Sequence, residues 1–212
     1  MTNKTKQITE YLNILFPNAE TELNFTNGYE LLIAVVLSAQ STDLQVNKIT
    51  PNLFGTYPSF TSLSMASISD VENLIRSLGL YRSKARNIVS LAKKMINEFD
   101  NKIPNTKAEL TSLPGVGIKT ANVVLSNLFD IPAFAVDTHV NRVSKRLGLA
   151  NNDDSLLQVE KKLEEAFPKS LWQTLHHQII LFGRYKCRAR NPECETCELT
   201  NICNYYKSLP QS

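Results

Sequence analysis

Three groups of residues in this chain have the types and spacing that chemistry requires. The first surrounds Lys119, in the run Leu113-Pro114-Gly115-Val116-Gly117-Ile118-Lys119-Thr120-Ala121. Glycines at 115 and 117 permit a tight turn with positive φ and a close approach of backbone to a ligand. A helix that starts just after them presents N–H groups at its positive end, which suits a phosphate. The same end disfavours a cation, so an amine placed there spends more time neutral. A neutral lysine amine attacks electrophilic carbon and forms a Schiff base. Direct contact with a phosphate is the simpler role open to the same side chain.

The second group is Asp137, in Val136-Asp137-Thr138-His139-Val140-Asn141-Arg142-Val143. It stands just before a helical stripe, where a carboxylate caps the helix. Capping does not exclude catalysis. A fixed carboxylate stabilises positive charge developing on a nearby carbon, and helps to deprotonate a nucleophile. His139 sits in the first turn of that helix.

The third group is Cys187, Cys194, Cys197 and Cys203, which are all the cysteines of the chain. Four thiolates in one short segment can hold structural zinc or a [4Fe–4S] cluster. Only one pair is closely spaced, which leans toward iron–sulfur. Arg184, Lys186, Arg188 and Arg190 flank the first cysteine. They are either ordinary solvated charge or a basic loop that faces phosphates.

The elements that must position these groups read as helices throughout. Ser69 with Glu72, Thr42 with Gln45 and Thr106 with Glu109 form capping-box pairs before apolar residues. Ile88, Ala92, Met95 and Phe99 form one helical stripe. Trp172, Leu175, Ile179 and Phe182 form another, with Gly183 as its stop. Val140, Val143 and Leu147 form a third, stopped by Gly148. His176 and His177 read as helix-packing residues. On the lysine's own helix, Ala121, Val124, Leu125 and Leu128 predict a buried stripe, with Lys119, Asn122 and Ser126 on a more polar face. The segment Tyr29 to Ala39 is apolar on all sides, the pattern of a central buried helix. Gln40 ends that helix, and Leu80 follows Gly79 in the run before Arg82, Lys84 and Arg86. Taken alone, Gln40 reads as a polar helix end and Leu80 as core. No period-two alternation predicts a sheet.

Composition bounds the rest. A chain of 212 residues that is 42% hydrophobic supports a sizeable core, and a net charge of +3 is compatible with a polyanionic partner. The polar N-terminal decade has no secretory apolar region. The longest apolar run, Leu31 to Leu37, is too short to span a bilayer. A cytoplasmic location with no membrane association is the resulting expectation. A reducing compartment favours a metal over disulfides.

The hairpin run with its lysine, the Val-Asp-Thr-His-Val stretch and the Cys-x6-Cys-x2-Cys-x5-Cys spacing together resemble the endonuclease III family of the helix–hairpin–helix DNA glycosylase superfamily. The resemblance spans the chain from the Gln40 segment to Cys203. It implies an all-α fold of two helical domains with a helix–hairpin–helix motif and a C-terminal iron–sulfur loop. One domain would be a six-helix unit over 22–132 carrying the hairpin. The other would join 1–21 to 133–212 and hold the [4Fe–4S] cluster on Cys187, Cys194, Cys197 and Cys203. Lys119 and Asp137 are implied as the catalytic pair of a DNA glycosylase and abasic-site lyase acting in base excision repair, with damaged, oxidised pyrimidines as substrates. Gln40 and Leu80 are implied to enter the base stack, while Gly115, Gly117, Arg184 and Lys186 grip the backbone. The implied partner is double-stranded DNA with a damaged base or abasic site, met by a nucleoid-associated monomer. A sister group specific for mismatched adenine lacks the hairpin lysine. A noncatalytic DNA-binding or redox-sensing module would explain the hairpin and the cysteines, but not Lys119 together with Asp137.

Overall fold

The computed structural model describes residues 1–210. They form helices joined by loops, and the described residues contain no strand. The chain divides into two compact units. One is the continuous segment Glu22–Ile131; the other combines Met1–Thr21 with the chain from Pro132 onward.

The continuous unit is built around a helix with no solvent-facing stripe. Helix α1 (Asn3–Leu15) belongs to the other unit, so this one begins with α2 (Gly28–Leu37). Asn27 caps α2 by accepting from the Glu30 amide at 3.0 Å. Eight of its ten residues are buried, and Leu31, Leu32, Ile33, Ala34 and Leu37 have no exposed surface. A helix apolar on every side is stable only inside a shell of others. That shell comprises α3 (Asp43–Thr56), α4 (Phe60–Ser64), α5 (Ile68–Leu74), α6 (Tyr81–Phe99), α7 (Lys107–Thr111) and α8 (Ile118–Leu128). Helices α3, α6 and α8 pack directly on α2; α4 and α5 lie on α6, and α7 on α8. The unit therefore has seven helical segments, not six, because a break at Met65–Ser67 separates two short helices.

Two of the capping residues read from sequence cap their helices, while the full capping boxes form elsewhere, at Ser59 with Ser62 and Ser155 with Gln158. Thr42 accepts from the Gln45 amide, and Thr106 from the Glu109 amide. The third is displaced by two residues. Ser67, not Ser69, caps α5, accepting from the Asp70 amide at 3.1 Å. Ser69 falls inside the first turn, and its hydroxyl lies 3.0 Å from that of Ser67.

The second unit contains α1, α9 (Thr138–Arg146), α10 (Leu156–Ala166), α11 (Trp172–Tyr185) and α12 (Asn204–Lys207). Helix α9 meets α10, α11 and α12, and α1 lies on α11. Phe134, Val140, Val143, Leu163, Leu175, Ile179 and Phe182 form much of its core. Gly183 does not stop α11, which continues to Tyr185. It is instead the point of close helix approach: a methyl group there would lie 3.0 Å from His139 Cβ and 3.2 Å from Val143 Cγ2. Gly148 does follow the end of α9, with φ of 66°. No helix among the described residues is long and apolar enough to cross a membrane.

His176 and His177 are buried packing residues on α11, with ring centroids 4.9 Å apart. Burial lowers the His177 pKa from 6.5 to about 4. Between those values the unfolded chain takes up a proton that the folded chain refuses, so stability falls as pH drops from 6.5 toward 4. His177→Gln should flatten this part of the profile, as read by melting temperature against pH. An unchanged acid slope in the variant would show that another group causes it.

Candidate active site

The hairpin joins α7 to α8. Gly115 has φ of 80°, a conformation reserved in practice for glycine. A methyl group there would lie 3.0 Å from Asn87 Cβ and 3.1 Å from Val36 Cγ1, so the turn rests directly on α6 and α2. Gly117 differs from expectation. Its φ is −93°, ordinary extended backbone, and a methyl group would meet nothing within 4 Å. It is the N-cap of α8, and no side chain caps the helix there. Its lack of a side chain leaves the start of α8 open to whatever approaches.

Lys119 is exposed in the first turn of α8. Its helix also departs from the expected polar face. Asn122 and Ser126 are buried, 0% and 1% exposed, along with Ala121, Val124 and Leu125. Lys119 is thus the exposed polar residue at the head of a helix that is buried below it.

Two more residues singled out from sequence lie in the same unit and are brought together. Gln40 and Leu80 are exposed and have φ of 54° and 58°. Leu80 is 59% exposed, so it is not core. A left-handed conformation costs a residue with a Cβ about 1–2 kcal/mol. Gly79 packs beside the Gln40 carbonyl oxygen, which would lie 3.6 Å from a methyl group at that glycine. Lys84, one turn into α6, is only 4% exposed and donates from Nζ to Ser41 Oγ at 2.6 Å. Burial lowers its pKa from the ordinary lysine value.

Asp137 belongs to the other unit, as the N-cap of α9. Its Oδ1 accepts from the amides of His139 and Val140, both at 2.8 Å, and its Oδ2 lies 3.0 Å from His139 Nδ1. The carboxylate is thereby fixed in orientation. His139 is more than a first-turn residue, since its ring holds the second oxygen.

Further along α9, Arg142 and Arg146 stand one turn apart. Arg142 donates to the carbonyls of Gly183 and Cys187 at 2.8 and 3.2 Å. Arg146 donates to the carbonyls of Cys187, Arg188 and Ala189 at 3.3, 2.7 and 3.0 Å, and its Nη1 lies 3.4 Å from Cys187 Sγ. Its guanidinium stacks 4.2 Å from the Tyr205 ring centroid. Cys203 Sγ donates back to the Arg146 carbonyl at 3.3 Å. Sequence reading missed both arginines. Their i, i+4 spacing behind a capping aspartate was the available signal.

All four cysteines are unpaired thiols and line one pocket with Leu147, Phe182 and Tyr205. Burial first, and then the neighbouring cysteines, push the Cys194 thiol up; burial also raises Cys197. Of the flanking cations, Arg184 is half-buried in α11, Lys186 donates to Thr196 Oγ1 at 2.9 Å, and Arg188 pairs with Glu193 at 3.1 Å. Much of this charge is engaged within the loop itself.

Comparison with known proteins places this geometry in context. Residues 33–169 match the model of the HhH-GPD superfamily of base excision DNA repair proteins. The chain is 48% identical to endonuclease III of Bacillus subtilis over 189 residues, covering 89% of this chain and 86% of the relative. It is 42% identical to endonuclease III of Escherichia coli K12, covering 91% of each. A solved structure of a trapped endonuclease III–DNA covalent intermediate is 49% identical, with a TM-score of 0.92 over 98% of each chain. A thermostable thymine-DNA glycosylase shares the fold, with a TM-score of 0.87 at 23% identity.

The capping role of Asp137 is separable from its charge. Asp137→Asn keeps an oxygen for the α9 amides and should melt near the wild-type temperature. Asp137→Ala should lose about 1 kcal/mol, measured by denaturant titration. Equal destabilisation by both variants would show that charge, not capping, stabilises α9.

Proposed function

The chain belongs to the endonuclease III family of the HhH-GPD superfamily of base excision DNA repair proteins, and from that premise we propose how its own residues act. It is a bifunctional DNA glycosylase and abasic-site lyase whose partner is double-stranded DNA carrying a damaged base, an oxidised pyrimidine, or an abasic site. The observation that carries this reading is an exposed lysine in the first turn of α8, directly behind an uncapped helix start. The open amide end takes a DNA phosphate without needing a side chain, aided by the tight turn at Gly115 and the bare backbone at Gly117. That grip brings a deoxyribose to the amine.

The chemistry then follows from one nucleophile and one fixed carboxylate. The neutral Lys119 amine attacks the anomeric carbon, the glycosidic bond breaks, and the base leaves with the bonding pair. Ring opening gives a Schiff base. Loss of a proton from the adjacent sugar carbon then expels the 3′ phosphate by β-elimination. Water hydrolyses the imine and returns the lysine. Asp137, the second catalytic residue, supplies negative charge opposite the developing cation and accepts the amine's proton. His139 and the α9 amides keep its carboxylate turned one way. A base stacked in a duplex must leave the helix before this attack, and Gln40 and Leu80 are the exposed tips that fill its place.

The cysteine cavity fits a [4Fe–4S] cluster. Its four cysteines are the donor set such a cluster takes, they line one pocket walled by Leu147 and Phe182, and Arg146 supplies a positive donor to Cys187 Sγ. When bound, such a group supplies a fourfold cross-link that closes the loop from Cys187 to Cys203. Its role is structural: it fixes the loop that follows Arg184 and Lys186, which meet phosphate. The enzyme acts as a monomer in the nucleoid-bearing cytoplasm.

Borohydride reduction with abasic duplex DNA tests the nucleophile. The wild type should be trapped as a covalent complex, and Lys119→Ala should not be. Trapping of Lys119→Ala at the wild-type yield would overturn the assignment. Stripping iron from the folded protein should weaken DNA binding, with the loss seen by fluorescence anisotropy. Full affinity in the iron-free protein would sink the structural role of the cysteine loop.

A further inference from the structure

Six non-glycine residues among those described have positive φ. Asp100, Asn101, Asp130 and Asn191 are of the types that tolerate this conformation. The other two are Gln40 and Leu80, which do not, and both are exposed at loop tips. Left-handed glutamine and leucine persist only where the surroundings over-determine them. Lys84 links the two segments, through the first backbone bond of the helix that Leu80 precedes and through its side chain. Its backbone N–H donates to the Leu80 carbonyl at 3.0 Å, while its Nζ donates to Ser41 Oγ, the residue after Gln40, at 2.6 Å. One buried residue thus holds the two tips by its two ends. A second tie runs parallel to it, from Gln45 Nε2 to Ser77 Oγ at 2.9 Å.

We propose that Lys84 is a positioning residue for base eversion, locking the Gln40 and Leu80 loops into one preformed two-pronged wedge. This rests on the reading of those two tips as the groups that enter the base stack. A cation buried to this degree is costly unless it does something that an apolar residue cannot. Here it reaches a hydroxyl on a separate loop, which a methionine of similar length would fail to hold. If the tips were free to drift, ordering them would be charged against each insertion into DNA. Held in advance, they enter with that cost already met by the fold.

The test compares an abasic site in a fully paired duplex with the same site in an unpaired bubble, where eversion costs little. Single-turnover cleavage is followed with the full chain. Ser41→Ala should cleave the paired duplex about tenfold more slowly and the bubble within about twofold of wild type. Lys84→Met should change in the same direction and by more. Ser41→Thr, which keeps the hydroxyl, should restore the paired-duplex rate. If Lys84→Met fails to fold, Ser41→Ala and Ser41→Thr still decide the matter. Wild-type rates for Ser41→Ala on the duplex, or equal slowing on both substrates, would overturn the proposal. A wild type that cleaves neither substrate would overturn the functional reading instead.

Discussion

Full burial of α2 is the constraint from which the continuous unit follows. Because that helix offers no polar stripe, its neighbours must enclose it on every side, and each is anchored by doing so. Val36 on α2 also meets the turn at Gly115, so the hairpin is seated on the most buried element of the unit. Lys119 rises from α8, another helix packed on α2. Gln40 leaves the same central helix at its C-terminal end. Groups that must hold still are therefore carried by the part of the unit least able to move.

Helix α9 does comparable work in the other unit, by polar rather than apolar means. Its first residue position is set by Asp137, and its last turn grips the cysteine loop through Arg146. The close approach of α11 at Gly183 lets Arg142 reach two carbonyls at once. A carboxylate and the cysteine loop are thus held at the two ends of one short rod.

Much of this was legible in the sequence, for physical reasons that can be named. Thr42 and Thr106 announce helix starts because a hydroxyl next to free amides has few better uses. The α2 run declares its burial by lacking any polar stripe. Ser69 misled because Ser67 offers the same hydroxyl two residues earlier, and local patterns do not separate the two. Gly183 was misread for a related reason: glycine serves both as a helix end and as a point of close packing, and only the neighbour across the contact tells them apart. Leu80 looked like core because nothing in its own type reveals a left-handed backbone. Asn122 and Ser126 read as part of a polar face, and their polarity gave no sign that the fold covers them. Arg142 and Arg146 escaped notice, and Lys84 read only as one of a basic run, because their partners lie dozens of residues away.

One unit of this protein is contiguous in sequence and the other is assembled from both chain ends. On the ribosome, residues 22–131 can collapse around α2 as soon as they emerge. Helix α1, made first, must wait for α11 before it has a surface to bury against. The hairpin is therefore complete while the unit that carries Asp137 is still being synthesised, and that unit closes only once α11 has followed.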